Sequence, residues 1–199
     1  MRYPSVVLLS VLLGVSVHAQ ASPRLSAELG GAEQVRTASV PGPAGTCNPA
    51  TGTPACVTIP IGPLVTGGSG AAHFSLSPDR TMLHYRVTAS GTGTPLFMGH
   101  IHLGPIGANG PVLLWLFGDQ GNAPFTLPRN DGAWTGEISG VLTASDLAAA
   151  PALGIVTFED AVNNILRGNA YVNFHTVANP PGELRGQIEG HQHSAMFGR

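Results

Sequence analysis

The sequence predicts an all-β fold, an immunoglobulin-like or Greek-key β-sandwich with one or two short helices, on three observations. The 199 residues include 27 Gly and 17 Pro, with 43% hydrophobic and only 10% charged, a balance that suits short strands and tight turns better than long surface helices. Apolar residues recur at the strand period of two, as in Leu83-His84-Tyr85-Arg86-Val87. Turn signals such as Ser77-Pro78-Asp79-Arg80 and Asn130-Asp131-Gly132 punctuate the apolar stretches. The length fits one domain with a sizeable core.

In chain order, residues 1–21 read as a signal peptide. Arg2 supplies a positive start, and Ser5 to Val17 forms an apolar run too short to span a bilayer. Val17-His18-Ala19 or Ala19-Gln20-Ala21 offers small residues for cleavage. The expected product is secreted or periplasmic, with no membrane attachment after cleavage. Residues 22–64 hold a first strand around Leu25 to Leu29, a loop-like stretch from Thr37 to Pro54, and an extended segment from Cys56 to Ile61. Cys47 and Cys56, an even pair at short spacing in an exported chain, read as a disulfide. Closing that Pro/Gly-rich loop would contribute about 2–3 kcal/mol.

Residues 65–190 form the expected sandwich. Gly70 to Ala89 reads as a hairpin whose register sets His73 across from His84. These are either two solvent-facing histidines, the favoured reading, or a source of one extra metal ligand. Leu96 to Leu103 and Val112 to Phe117 are strands, with further extended pieces at Phe125 to Leu127 and Trp134 to Ser139. Thr143-Ala144-Ser145-Asp146 and Thr157-Phe158-Glu159-Asp160 carry capping-box spacing at the starts of two short helices. The second runs through Ala161, Val162, Ile165 and Leu166 and stops at Gly168. Strands follow from Ala170 and from Leu184 to Glu189, and residues 191–199 are a polar tail.

The chemistry concentrates in Gly99-His100-Ile101-His102-Leu103-Gly104-Pro105 and Tyr171-Val172-Asn173-Phe174-His175-Thr176. On a strand, His100 and His102 point together, about 6.5–7 Å apart, with Met98 on the same face. Phe97, Ile101 and Leu103 occupy the opposite, core face. The second stretch sets Tyr171, Asn173 and His175 against Val172 and Phe174. Two imidazoles at this spacing form a chelate, and His175 would complete a three-nitrogen site for copper or zinc. A thioether from Met98 would tilt the choice to copper; the alternative is an exposed surface methionine. The three rings must converge to within about 4–5 Å of one another's nitrogens for a shared ion at about 2.0–2.1 Å. Otherwise the histidines lock turns by hydrogen bonding to loop backbone. His191-Gln192-His193 repeats the spacing in the tail, where only loose metal recruitment is expected.

Glu183 and Arg185 flank Leu184 and point the same way on a strand. Together with Asn173 they would either orient His175 or an anion, or serve structure alone; an exposed ion pair of Glu183 with Arg185, worth little, is the favoured reading. No catalytic residue stands out: there is no Gly-x-Ser-x-Gly elbow, no His-Glu-x-x-His and no phosphate-binding loop. Asp119, Asp131 and Asp160 are scattered in turns and caps. The formal charge is −2 and no basic run interleaves with aromatics, which excludes a nucleic-acid binder.

These residues resemble the CHRD (chordin) domain family. The resemblance is carried by Leu83-His84-Tyr85-Arg86-Val87, the Gly99 to Pro105 stretch with Gly107 and Gly110-Pro111-Val112, and Gly140-Val141-Leu142-Thr143 with Asp146-Leu147. Gly168 to Thr176 and Asn179-Pro180-Pro181-Gly182-Glu183-Leu184-Arg185-Gly186-Gln187-Ile188 complete it. It implies an extracellular immunoglobulin-like sandwich, a binding module in the animal proteins, and leaves the reaction open. A second similarity, to copper–zinc superoxide dismutase, would make His100, His102 and His175 copper ligands. The chain departs from that pattern after His102, where Gly104, Pro105 and Asn109 stand instead of a histidine-rich loop with a following aspartate. A copper-only version would need a substrate-steering arginine, for which Arg185 is the candidate. Three functions follow as expectations: a copper-binding exported module, a non-catalytic interaction module with an extracellular protein partner, and a copper-dependent dismutase.

Overall fold

The computed structural model describes residues 22–41, 56–118 and 134–191. The fold is all-β with a short helix. Among the described residues eleven strands follow in order: β1 Arg24–Gly30, β2 Thr37–Pro41, β3 Cys56–Pro60, β4 Ser69–Leu76, β5 Leu83–Ser90, β6 Leu96–Leu103, β7 Val112–Phe117, β8 Gly136–Leu142, β9 Ala170–Thr176, β10 Leu184–Gln187 and β11 Glu189–His191. Nine of them form one antiparallel sheet in the order β7-β6-β9-β10-β1-β4-β5-β8, with β11 also paired to β1. The sheet curls until its edges approach. Tyr85 of β5 donates its hydroxyl to the Leu116 carbonyl of β7 at 2.6 Å, and Leu114 of β7 bridges Leu147 just beyond β8. The two faces that a sandwich divides between two sheets thus belong to one nearly closed sheet.

Alternation supplies the core. Leu25, Ala27 and Leu29 of β1 point inward with Ala72, Phe74 and Leu76 of β4 and Leu83, Val87 and Ala89 of β5. The helix α1, Phe158–Leu166, adds Phe158, Ala161, Val162 and Ile165, one stripe at helical spacing, and packs against β6, β9 and β11. Thr157 and Asp160 make the reciprocal capping box expected of them. At the other end the Asn169 N–H bonds the Asn164 carbonyl and the Gly168 N–H bonds the Ile165 carbonyl, with Gly168 at φ +72°; this is a Schellman stop. The Thr143 capping box also forms, but over a single 3₁₀ turn, Ala144–Asp146.

Several expectations are corrected. The stretch from Thr37 is not all loop: Thr37–Pro41 is β2, paired with β3 in a separate two-stranded ribbon. The hairpin register is two residues away from the expected one, pairing His73 with Arg86 and His84 with Ser75. The cause is a longer loop. The Ser77 N–H bonds the Met82 carbonyl, and Arg80 turns at φ +60°, so residues 77–82 are all consumed before Leu76 meets Leu83. The last strand is split at buried Ile188 into β10 and β11, and His191 of the expected tail ends β11 opposite Arg24. The signal peptide, Cys47 of the expected disulfide, the segment Phe125 to Leu127, Asp119, Asp131 and His193 lie outside the described residues.

Candidate metal centre

Strands β6 and β9 are neighbours, and their register places Met98 across from His175, His100 across from Asn173 and His102 across from Tyr171. The three histidines therefore share one face of two adjacent strands, with His175 diagonal to His100. Their candidate ligand nitrogens all lie within 4.8 Å of one another, which meets the convergence that a shared ion requires. The cluster is far from naked: His100 and His175 are 2% and 5% exposed, and His102 is half-buried.

Bulges aim these side chains. Against β6, the strand β7 slips register between Gly99 and His100 and again between Ile101 and His102. Through these slips the apolar run Leu113, Leu114, Leu116 and Phe117 is buried while Trp115 stays on the histidine face, its ring edge-on to His100 at 4.5 Å. A third slip lies between Leu96 and Met98 on the β9 side. It sends Leu96 into the core and leaves Phe97 half-buried with its ring 6.3 Å from His175. Phe97 is therefore a neighbour of the cluster and not the core residue that simple alternation predicts. Gly99 is required by packing: a Cβ there would collide with the Phe117 ring and stand 2.7 Å from Phe174.

Backbone carbonyls fix the imidazole tautomers. His102 Nδ1 donates to the Gly110 carbonyl at 2.9 Å and His175 Nδ1 donates to the Pro180 carbonyl at 2.7 Å, so each presents a bare Nε2 to the cluster. His102 Nε2 stands 2.9 Å from His100 Nδ1, which donates to it. That leaves His100 Nε2 and His175 Nε2 buried with no hydrogen-bond partner. Two such orphaned acceptors are costly, about 1–3 kcal/mol each, unless something fills them.

The surroundings resist added positive charge. Burial, with His175 and His102 nearby, lowers the His100 pKa to about 2. Burial lowers His102 to about 4 against the opposing pull of the Gly110 carbonyl, with His175 and Arg185 pushing the same way as burial. His175 is lowered by burial too, partly offset by the Pro180 carbonyl.

A CHRD domain family model matches residues 25–188. The chain belongs to the CHRD domain family. No curated protein and no solved structure matches it. The match begins at β1, which lies between β10 and β4 in the middle of the sheet, so this CHRD domain takes in its N-terminal strand.

The remaining motif residues of the CHRD domain hold the loops around the cluster. Glu183 and Arg185 are both buried, and they do not pair. Glu183 accepts from the Thr66 and Thr176 hydroxyls, each at 2.6 Å, from Asn179 Nδ2 and from the Gly93 N–H. Burial alone would raise its pKa, but these donors bring the carboxyl below the usual range. Arg185 donates to Asn109 Oδ1 at 2.9 Å and to the Ala108 and Pro105 carbonyls, and its guanidinium lies 3.5 Å from the centroid of the Tyr171 ring. Tyr171 in turn stacks on His102, 4.9 Å away and 6° from parallel, and accepts from the Gly110 N–H. Asn173 accepts from Gln34 Nε2 at 2.7 Å and donates to the Pro181 carbonyl. Gly182, at φ +132°, leaves no room for a Cβ beside the Asn173 amide.

Met98 keeps its register position across from His175 and is half-buried. His73 and His84 do not approach the cluster: both are exposed on β4 and β5, near the far edge of the sheet. Trp115, Gln34 and the Glu183 hub escaped the sequence reading. Trp115 sits in an unbroken apolar run with no alternation to mark its face, and Gln34 lies beyond the first strand in a segment with no motif.

Proposed function

We propose that this CHRD domain is a metal-binding module of an exported protein, in which His100, His102 and His175 hold one transition-metal ion, copper before zinc. The observation that carries the reading is the convergence of the His100, His102 and His175 ring nitrogens to within 4.8 Å of one another, with the Nε2 atoms of His100 and His175 buried and partnerless. Three imidazole donors without a thiolate suit copper or zinc. The carbonyls of Gly110 and Pro180 behind them are the kind of outer partner that orients ligating histidines, and Met98, across from His175, tilts the choice to copper. Export rests on the sequence of residues 1–21. Among the described residues no helix is long and apolar enough to cross a membrane.

The dismutase alternative draws no support from Arg185, which is 2% exposed with its donors spent on the Pro105–Asn109 loop and therefore unable to steer an anion. The interaction-module alternative keeps one observation in its favour, since His100, His102 and the two carbonyls already satisfy part of one another's hydrogen bonding. A Cu(II) titration followed by electron paramagnetic resonance separates the two. One equivalent with a multi-nitrogen spectrum, lost in His100→Ala/His102→Ala, is the expected result. Weak binding that survives in the double variant would place the metal at the His191 and His193 tail and leave the cluster structural.

A further inference from the structure

Resting on the metal-centre reading above, we infer that the site is built for monovalent copper, Cu(I), in preference to Cu(II) and Zn(II). The donor set is electrically neutral. His102 and His175 each commit Nδ1–H to a backbone carbonyl, not a carboxylate, so nothing behind them draws the ring toward an imidazolate. No carboxylate or thiolate joins the three histidines among the described residues. An ion there keeps its full charge.

The surroundings penalise that charge. His100 and His175 are almost fully buried, with Trp115 edge-on to His100, Phe97 beside His175 and Tyr171 stacked on His102. The cost of placing an ion in such a medium grows as the square of its charge, so a dication costs about four times as much as a monocation. Among the described residues the formal charge stacked toward the cluster is also positive. Strands β6 and β10 flank β9 on opposite sides, so His102 and Arg185 sandwich the Tyr171 ring as imidazole, phenol and guanidinium. At about 8–10 Å and an effective dielectric near 20, this guanidinium disfavours each additional positive unit about 20-fold.

Coordination number points the same way. Three nitrogens are sufficient for Cu(I), whereas Zn(II) takes a fourth ligand, and Cu(II) prefers a four-cornered set. The side chain that the register adds beside His175 is Met98, a thioether, which is a soft donor selective for Cu(I).

The test compares dissociation constants on the full protein. Cu(I) is delivered without oxygen and measured against the chelator bicinchoninate; Cu(II) and Zn(II) are titrated separately against chelators of known affinity. The expected result is one Cu(I) per chain, bound at least about 20-fold more tightly than Cu(II), and not displaced by an equivalent of Zn(II). A Met98→Leu variant should weaken Cu(I) and leave Zn(II) unchanged. Cu(II) or Zn(II) binding as tightly as Cu(I), at the same histidines, overturns this inference while leaving the metal centre intact. Failure of every ion to bind stoichiometrically, or binding that persists in His102→Gln with its fold verified by circular dichroism, removes the metal centre and this inference together.

Discussion

Lowering the pH from 7 to 5 should cost the metal-free protein about 4 kcal/mol of folding stability. His100 and His102 have folded pKa values of about 2 and about 4, against 6.5 for a free histidine. In the unfolded chain both bind a proton as the pH falls through 6.5, while in the folded protein both stay neutral down to pH 5. The unfolded state therefore binds more protons, and stability rises with pH across this window. It is fully present above about pH 7, and each histidine withdraws about 2 kcal/mol by pH 5. His175, lowered in the same direction, adds to the loss. The carboxyls of Asp79, Glu137, Asp160 and Glu183 are all lowered, so the stability that they contribute is lost below this window. Against a total stability of about 5–15 kcal/mol, the loss is large. Urea unfolding in the presence of a chelator at pH 7, 6 and 5 is the assay, and at a slope of about 2 kcal/mol per molar the midpoint should fall by about 2 M. His100→Gln should remove its own share, about 2 kcal/mol, of the loss. A midpoint that stays constant to within about 0.5 M in the wild type would mean that the cluster accepts protons when folded, and would refute the burial argument.

Three substitutions test the supporting structure. Arg185→Met strips the donors from Asn109, Ala108 and Pro105; it should cost about 3 kcal/mol and, by loosening the loop whose Gly110 carbonyl orients His102, weaken metal binding about 10-fold or more in a chelator competition. Glu183→Ala leaves four donors without their acceptor and should lower stability by about 3 kcal/mol in urea, whereas a loss under about 1 kcal/mol would show that water replaces the carboxylate. Gly99→Ala drives a methyl group into Phe117 and Phe174 and should cost about 1–3 kcal/mol, read as a lower thermal midpoint with the native near-ultraviolet signal retained.

The legible part of this protein is the part ruled by strict alternation or by local capping. Phe74 and Leu76, Leu83 and Val87, and the stripe from Phe158 to Ile165 are where period and caps place them. So is the convergence of His100, His102 and His175, because Val172 and Phe174 anchor the inner face of β9 and leave its outer face to Tyr171, Asn173 and His175. Bulges were not legible. Phe97 changes sides because one extra residue enters β6, and the pairing of His73 with Arg86 depends on how many residues the Ser77–Met82 loop consumes. Nor did the residues reveal that Glu183 and Arg185, on one strand face, would part and serve different loops. Their partners come from segments as distant as Thr66 and Asn109, which no local pattern connects to them. The β2 ribbon was missed because Pro41-Gly42-Pro43 reads as a breaker, although Pro41 only ends the strand.

The strand order also dictates a timetable. His100 and His102 lie on a hairpin with β7, which closes over a short loop and can form as soon as residue 117 is available. The third imidazole waits for β9, where Leu103 meets Ala170, and β9 is itself held by β10, which pairs with Gly30 of β1 at the other end of the domain. Pairings of such separation carry the greatest closure entropy and come last. Until β6 and β9 have paired, the chain offers only two of the three imidazoles, and the cluster is complete only when that long-range pairing has formed.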